Sequence, residues 1–163
     1  MSVDSDFVRE GYIDLDGEEN RRRLRDHQAY LSGIGVPAEV TQTLDHIGIN
    51  AATRPAFERL LERYSNEGVG TNVYDRGDRR IAIIERGGGN YRVELFEPRE
   101  GAEPTPGFVH YAFIWPGWKE REEELRGMTE IRRTGELRGN YLAFVGTPDG
   151  HEAEIVSEPI QFE

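Results

Sequence analysis

T-L-D-H-I-G-I, residues 43–49, has the apolar alternation of a half-buried strand, and G-F-V-H-Y-A-F-I at 107–114 repeats it around a second histidine. Each opening segment has a closing counterpart that carries a glutamate, Y-R-V-E-L-F at 91–96 and E-A-E-I-V at 152–156. His110 follows His46 by 64 residues, and Glu154 follows Glu94 by 60. A repeat at this interval sets the architecture before any single element does.

Between its two ends, each half has the same order. After the strand at 44–50, Thr53 is placed to cap a helix with Pro55 in its first turn, and Phe57, Leu60, Leu61 and Tyr64 recur at helical spacing until Gly68. Three strands follow, at 70–74, 79–85 and 91–97, joined by turn sequences D-R-G-D (75–78) and R-G-G-G-N (86–90). In the second half a strand at 108–115 leads to a charged helix at 117–126 closed by Gly127, then to strands near 130–137, 140–146 and 152–157. The expected fold is α+β: two βαβββ modules, at 43–97 and 108–163 with a C-terminal tail, forming curved mixed sheets around one cleft. Residues 98–107, rich in proline and glycine, form a linker, and residues 1–42 an N-terminal extension with an extra helix. That helix is expected over 18–34, with Leu24, Gln28, Leu31 and Ile34 as its apolar stripe and R-R-R-L-R (21–25) as a solvated face. Residues 1–17 are polar and mixed and are expected to be a flexible lead or an edge element.

Composition narrows the function classes. At 163 residues the chain fits one domain with a sizeable core. It contains no cysteine, so any metal rests on nitrogen and oxygen ligands. A formal net charge of -11 argues against nucleic acid or an anionic membrane as partner. Lys119 is the single lysine, and an acidic, arginine-rich composition of this kind fits a salty interior or a GC-rich genome. The opening M-S-V-D-S-D-F has neither the basic flank nor the apolar run of a secretion signal, so the protein is expected to be cytoplasmic.

Because side chains alternate along a strand, His46 opposes Ile47 and Ile49, His110 opposes Val109 and Tyr111, Glu94 opposes Val93 and Leu95, and Glu154 opposes Ala153 and Ile155. All four polar groups leave the face with the best core residues, so two imidazoles and two carboxylates are expected to surround one divalent metal ion: zinc, nickel, cobalt, manganese or iron. A metal-free cleft on the same fold is the alternative. Four protein ligands in an octahedral site leave two positions for a substrate with neighbouring oxygens. Glu152 shares the face of Glu154 and is a substitute for it. His27 and His151 read as exposed structural residues, Tyr111, Phe113, Trp115 and Trp118 as core and cleft lining, and Arg92 and Arg138 as surface ion-pairing groups.

T-L-D-H-I-G-I, V-E-L-F-E-P, G-F-V-H-Y-A-F and T-P-D-G-H-E-A-E-I at these intervals resemble the vicinal oxygen chelate superfamily, which includes glyoxalase I, methylmalonyl-CoA epimerase, fosfomycin-resistance proteins and extradiol dioxygenases. The resemblance spans residues 43–157. The leading helix and the V-E-L-F-E-P-R-E-G segment are similar to YecM-like proteins, whereas the D-G-x-x-x-E ending at 149–154 is shared with glyoxalase I. The resemblance implies a metal-dependent lyase, isomerase or epimerase that acts on a small-molecule substrate, with Glu154 as first proton carrier and Glu94 as second, and it allows a homodimer. A non-catalytic small-molecule-binding protein and a ferrous extradiol-type dioxygenase are the alternatives within the same resemblance.

Overall fold

The computed structural model describes residues 5–88 and 90–161. Its elements are α1 (Ser5–Glu10), α2 (Glu18–Gly33), α3 (Ala38–Thr41), β1 (Leu44–Asn50), α4 (Arg54–Glu67), β2 (Gly70–Asp75), β3 (Arg80–Glu85), β4 (Arg92–Phe96), β5 (Gly107–Ile114), a short 3-10 turn (Trp118–Arg121), α5 (Glu122–Met128), β6 (Ile131–Leu137), β7 (Asn140–Gly146) and β8 (Glu152–Val156). The strand–helix–three-strand order occurs twice, as the repeat requires. Contacts concentrate in two compact units: residues 1–17 with 46–109, and residues 18–45 with 110–163.

In the first unit the strand order is β2-β3-β4-β1, with β1 and β4 parallel and the β2-β3-β4 pairings antiparallel. Helix α4 packs on β3 and β4. Its buried side chains Ala56, Phe57, Leu60 and Tyr64 complete a core with Ile47, Ile49, Ala82, Ile84, Val93 and Leu95. Burying a side chain such as Phe57 or Leu60 contributes about 1.5–3 kcal/mol. The Thr53 Oγ1 accepts a hydrogen bond from the Ala56 N–H at 3.0 Å, the N-cap that its position predicts. Gly68 ends the helix because of space. A Cβ there would lie 2.6 Å from the Glu85 carbonyl oxygen and 2.8 Å from Ile84 Cγ2. The hairpin at 75–78 closes with Gly77 at φ +90° and the Asp75 carboxylate accepting from its N–H at 2.8 Å. The second expected turn includes Gly89, which lies outside the described residues.

Residues 5–17 are more ordered than the composition of the leading stretch suggests. After α1, Tyr12 and Leu15 are buried, and Tyr12 stacks on Tyr64 with ring centroids 5.1 Å apart. The Ile13 N–H donates to Tyr64 Oη at 2.8 Å, and Tyr12 Oη donates to Glu67 at 2.9 Å. Two tyrosines whose hydroxyls find partners dock this segment onto α4, a tertiary effect that local polarity does not reveal.

The second unit repeats the topology as β5-β8-β7-β6, with β5 and β8 parallel. Its crossover helix is short, since a 3-10 turn precedes the seven-residue α5. Helix α2 supplies what α5 lacks. Leu31 of α2 and Leu125 of α5 are fully buried, and Tyr111, on the β5 face opposite His110, donates its hydroxyl to Asn20 Oδ1 of α2 at 2.5 Å. Tyr111, Phe113, Trp115 and Trp118 are all buried, as core-forming aromatics should be. Arg21, Arg22 and Arg25 of the arginine run on α2 are exposed, Arg25 pairing with Glu18 at 2.9 Å, whereas Arg23 departs from the expected solvated face: its side chain is only 20% exposed and meets Glu19 at 3.4 Å. No helix among the described residues is long and apolar enough to cross a membrane.

Candidate functional site

His46 lies on β1 and Glu94 on β4, and His46 Nε2 is 3.2 Å from Glu94 Oε1. His110 lies on β5 and Glu154 on β8, with Nε2 3.3 Å from Oε1. None of the four is more than 5% exposed. Register explains why both pairs form. Glu94 stands opposite Gly48, two residues beyond His46, and Glu154 stands opposite Ala112, two residues beyond His110. The same parallel-strand offset is thus used twice, and in each case the residue facing the glutamate is small enough to let the carboxylate turn toward the imidazole. Burial of an imidazole and a carboxylate is costly unless each meets a partner. Neutral imidazole nitrogen and carboxylate oxygen are also the donors that zinc, nickel, cobalt, manganese and ferrous iron accept.

In the second unit Phe144, opposite Glu154 in register, meets the His110 ring edge to face at 5.8 Å. The Arg133 guanidinium lies over the Phe144 ring at 3.9 Å and donates to Glu152 at 3.3 Å. Glu152, the possible substitute for Glu154, is therefore half-exposed and engaged by arginine. Arg92 is 3.9 Å from Glu85, an ion pair at the edge of contact range. Arg138 occupies the exposed β6–β7 turn at φ +52°, and Asn140 is a structural residue whose Oδ1 accepts from Ser157 and Glu158 main-chain N–H groups.

His27 departs from its expected exposure. It is 1% exposed, its Nε2 lies 2.7 Å from Asp149 Oδ2, and its ring meets Tyr111 edge to face at 5.3 Å. Asp149 also accepts from Thr147 Oγ1 at 2.6 Å and from the His151 N–H at 3.1 Å. One side of α2 thereby holds both Tyr111, the neighbour of His110, and the turn that leads into the Glu154 strand. A polar helix stripe gives no sign of this, because the partner lies 122 residues away.

No family model and no curated protein matches the sequence. Solved structures do match in fold. Methylmalonyl-CoA epimerase from Mycobacterium tuberculosis superposes with a TM-score of 0.53 at 21% identity, covering 75% of this chain and 90% of that one. A structural-genomics protein, EC4020, gives 0.56 at 17% identity over 91% and 92% of the two chains. A variant of 4-hydroxymandelate synthase from Streptomyces coelicolor gives 0.52 at 15% identity over 74% of this chain and 50% of the other. The duplicated βαβββ module and these likenesses together show that the chain shares the fold of these structures, each unit a mixed sheet of four strands with its crossover helix.

Proposed function

We propose that this protein is a metal-dependent isomerase, epimerase or lyase of the glyoxalase type, moving a proton beside the carbonyl of a small oxygenated substrate. The observation that carries this reading is the duplicated buried pair, a histidine Nε2 beside a glutamate Oε1 at 3.2 Å and again at 3.3 Å. In this reading His46, Glu94, His110 and Glu154, the members of the two buried pairs, are the ligands of one ion. The nitrogen–oxygen set suits a divalent transition ion. When bound, such an ion would polarise a carbonyl and ease loss of a proton from the adjacent carbon. Glu154 acts as general base and then acid, and Glu94 takes the second proton-transfer role, which makes inversion at carbon possible. The name of one fold relative, an epimerase, is in keeping with such chemistry.

The test begins with metal content and thermal unfolding of the purified protein. We expect roughly one equivalent of a divalent metal, a rise in melting temperature on adding nickel, cobalt, zinc or manganese, and loss of both in the His46→Ala/His110→Ala double variant. Deuterium incorporation from solvent into α-oxygenated carbonyl compounds, including the thiol adduct of methylglyoxal, then tests catalysis. Glu154→Gln should keep the metal and lose the exchange. Absence of bound metal together with no thermal response to any of the four ions would remove the reading. Metal binding without exchange, or oxygen uptake with catechols, would replace it with the binding or dioxygenase alternative.

A further inference from the structure

Arg132 and Arg133 are neighbours on β6, where strict alternation would send them to opposite faces of the sheet. A bulge prevents this. From Leu137 back to Arg133 the strand pairs residue by residue with Asn140 to Phe144, but the next pair is Ile131 with Val145, so Arg132 is an extra residue. In unbroken register it would stand opposite Val145, which is fully buried. The bulge gives that place to Ile131 and releases Arg132 to the other face. Gly146 marks where it lands: a Cβ there would lie 2.9 Å from Arg132 Nε and Nη2.

That face carries the second His–Glu pair. One row across the strands runs from His110 through Glu152 to Gly146, and the next from Ala112 through Glu154 and Phe144 to Arg133. Arg132 covers the gap that Gly146 leaves in the His110 row, and Arg133 closes the Glu154 row. The Arg133 guanidinium lies over the Phe144 ring at 3.9 Å, and the same ring meets His110 at 5.8 Å, so one aromatic ring separates cation from imidazole. Both arginines lean on one carboxylate oxygen, Glu152 Oε1, at 3.9 Å and 3.3 Å, and Arg132 also donates to the His151 carbonyl at 3.4 Å. Among the described residues no other acid pairs with either. Two cations against one anion leave a positive charge in surplus, on a chain whose net charge is -11. Their side chains are 37% and 58% exposed, so an incoming anion can reach them.

We propose that Arg132 and Arg133 receive an oxyanion of the substrate, a carboxylate or a phosphate, while the rest of the molecule lies along the Phe144 row toward Glu154. Two guanidinium forks hold more N–H donors than Glu152 can engage. Glu152 shows that one oxyanion can be shared by both forks, and it competes with a ligand for them. β6 is two strands from β8, so the anion sits one to two strand spacings, about 5–10 Å, from the proton-moving carboxylate. The substrate that fits is a small organic acid or phosphate ester, charged at one end and reactive at the other. Its catalytic meaning rests on the reading of His110 and Glu154 as part of the reacting site, whereas the anion site rests on the arginines.

The test titrates the full chain, as purified and after removal of metal with EDTA, with malonate, inorganic phosphate and neutral malonamide by calorimetry and NMR. We expect saturable binding of malonate or phosphate by both preparations, with shifts at Phe144 and Gly146, and no binding of malonamide. Arg132→Met and Arg133→Met should each weaken the anion by about tenfold or more, the worth of a charge-assisted hydrogen bond. Glu152→Gln should tighten it, because the competing carboxylate is gone, and Arg138→Met should change nothing. The better-bound anion identifies the charged group of the substrate. Unchanged affinity in either arginine variant, an equal loss in Arg138→Met, failure of Glu152→Gln to tighten binding, equal binding of malonamide, shifts confined to other regions, or no saturable binding of either anion to the wild type would each overturn the inference. Metal analysis of the same samples keeps the two proposals separate. Arginine-dependent anion binding by a chain that takes no metal sustains this inference and removes the metal reading. Anion binding that is lost with EDTA and indifferent to both arginines does the opposite.

Discussion

Asp149 and His27 both have lowered pKa values, for opposite reasons. Burial opposes the charge of Asp149, yet hydrogen bonds from Thr147, His27 and the His151 main chain outweigh it and hold the carboxyl at about 2. For His27, burial is the larger effect and exceeds the pull of Asp149, while Arg23 and His151 push the same way as burial. At neutral pH a neutral imidazole therefore faces a carboxylate anion. An unfolded imidazole takes up a proton near about pH 6.5, and the folded one refuses it until lower pH, so stability falls as pH drops below that value. Asp149 adds a second loss between about pH 3.9, where the unfolded carboxyl protonates, and about 2. We expect the wild-type melting temperature to drop more between pH 7 and pH 5 than that of His27→Gln, whose amide still donates to Asp149. Equal drops would show that His27 is not the group responsible. At this scale the sequence was legible where alternation applied: His46, Glu94, His110 and Glu154 could be placed on the polar side of their strands because each is flanked by core residues. His27 carried no such signal. It depends on a partner in the last third of the chain.

Among the elements, α4 is the one whose local chemistry and tertiary role agree. Its cap, its first-turn proline and its terminating glycine are visible in T-R-P-A-F-E-R-L-L-E-R-Y-S-N-E-G and form as written, while the buried stripe takes Ala56 with Phe57, Leu60 and Tyr64 and leaves the expected Leu61 half-buried at its edge. Thr53→Ala should cost about 1 kcal/mol, and Thr53→Ser should retain most of it, because only the hydroxyl acceptor for the Ala56 N–H is at stake. Urea unfolding tests this as a shift in midpoint at unchanged slope. A Thr53→Ala protein as stable as the wild type would mean that docking on β3 and β4 alone holds the helix start. The elements that were misjudged are those whose stability is tertiary. Six residues of α1 cannot sustain a helix in isolation, and the segment is ordered by Tyr12 and Ile13 engaging Tyr64. In the second module the helix runs one residue past the expected stop at Gly127, to Met128, and α2 contributes buried surface beside it. The apolar stripe placed α2 correctly, but the most buried positions on it include the polar Asn20 and His27.

At the scale of the whole chain, the duplicated pattern was enough to recognise the fold although no family model matches, because strand alternation and the interval between halves survive when sequence identity does not. Net charge is a separate property at this scale. The exposed ion pairs, among them Lys119 with Glu122, Arg121 with Glu124 and Arg25 with Glu18, contribute little because water screens them, and they weaken further in salt. Against them stands an excess of eleven negative charges, whose mutual repulsion acts on the folded chain more than on the expanded one. Salt weakens both effects, but it spares the buried pairs and relieves a repulsion summed over the whole surface. Raising sodium chloride from about 0.1 M to about 1 M shortens the screening distance from about 10 Å to about 3 Å. We therefore expect the melting temperature to rise with sodium chloride by several degrees, since 1 kcal/mol corresponds to about 2–4 °C for a chain of this size. The same titration on a variant with four exposed glutamates changed to glutamine, for example Glu62, Glu100, Glu103 and Glu120, should give a smaller rise from a higher starting point. A melting temperature that falls as salt is added would show that the surface pairs outweigh the net charge.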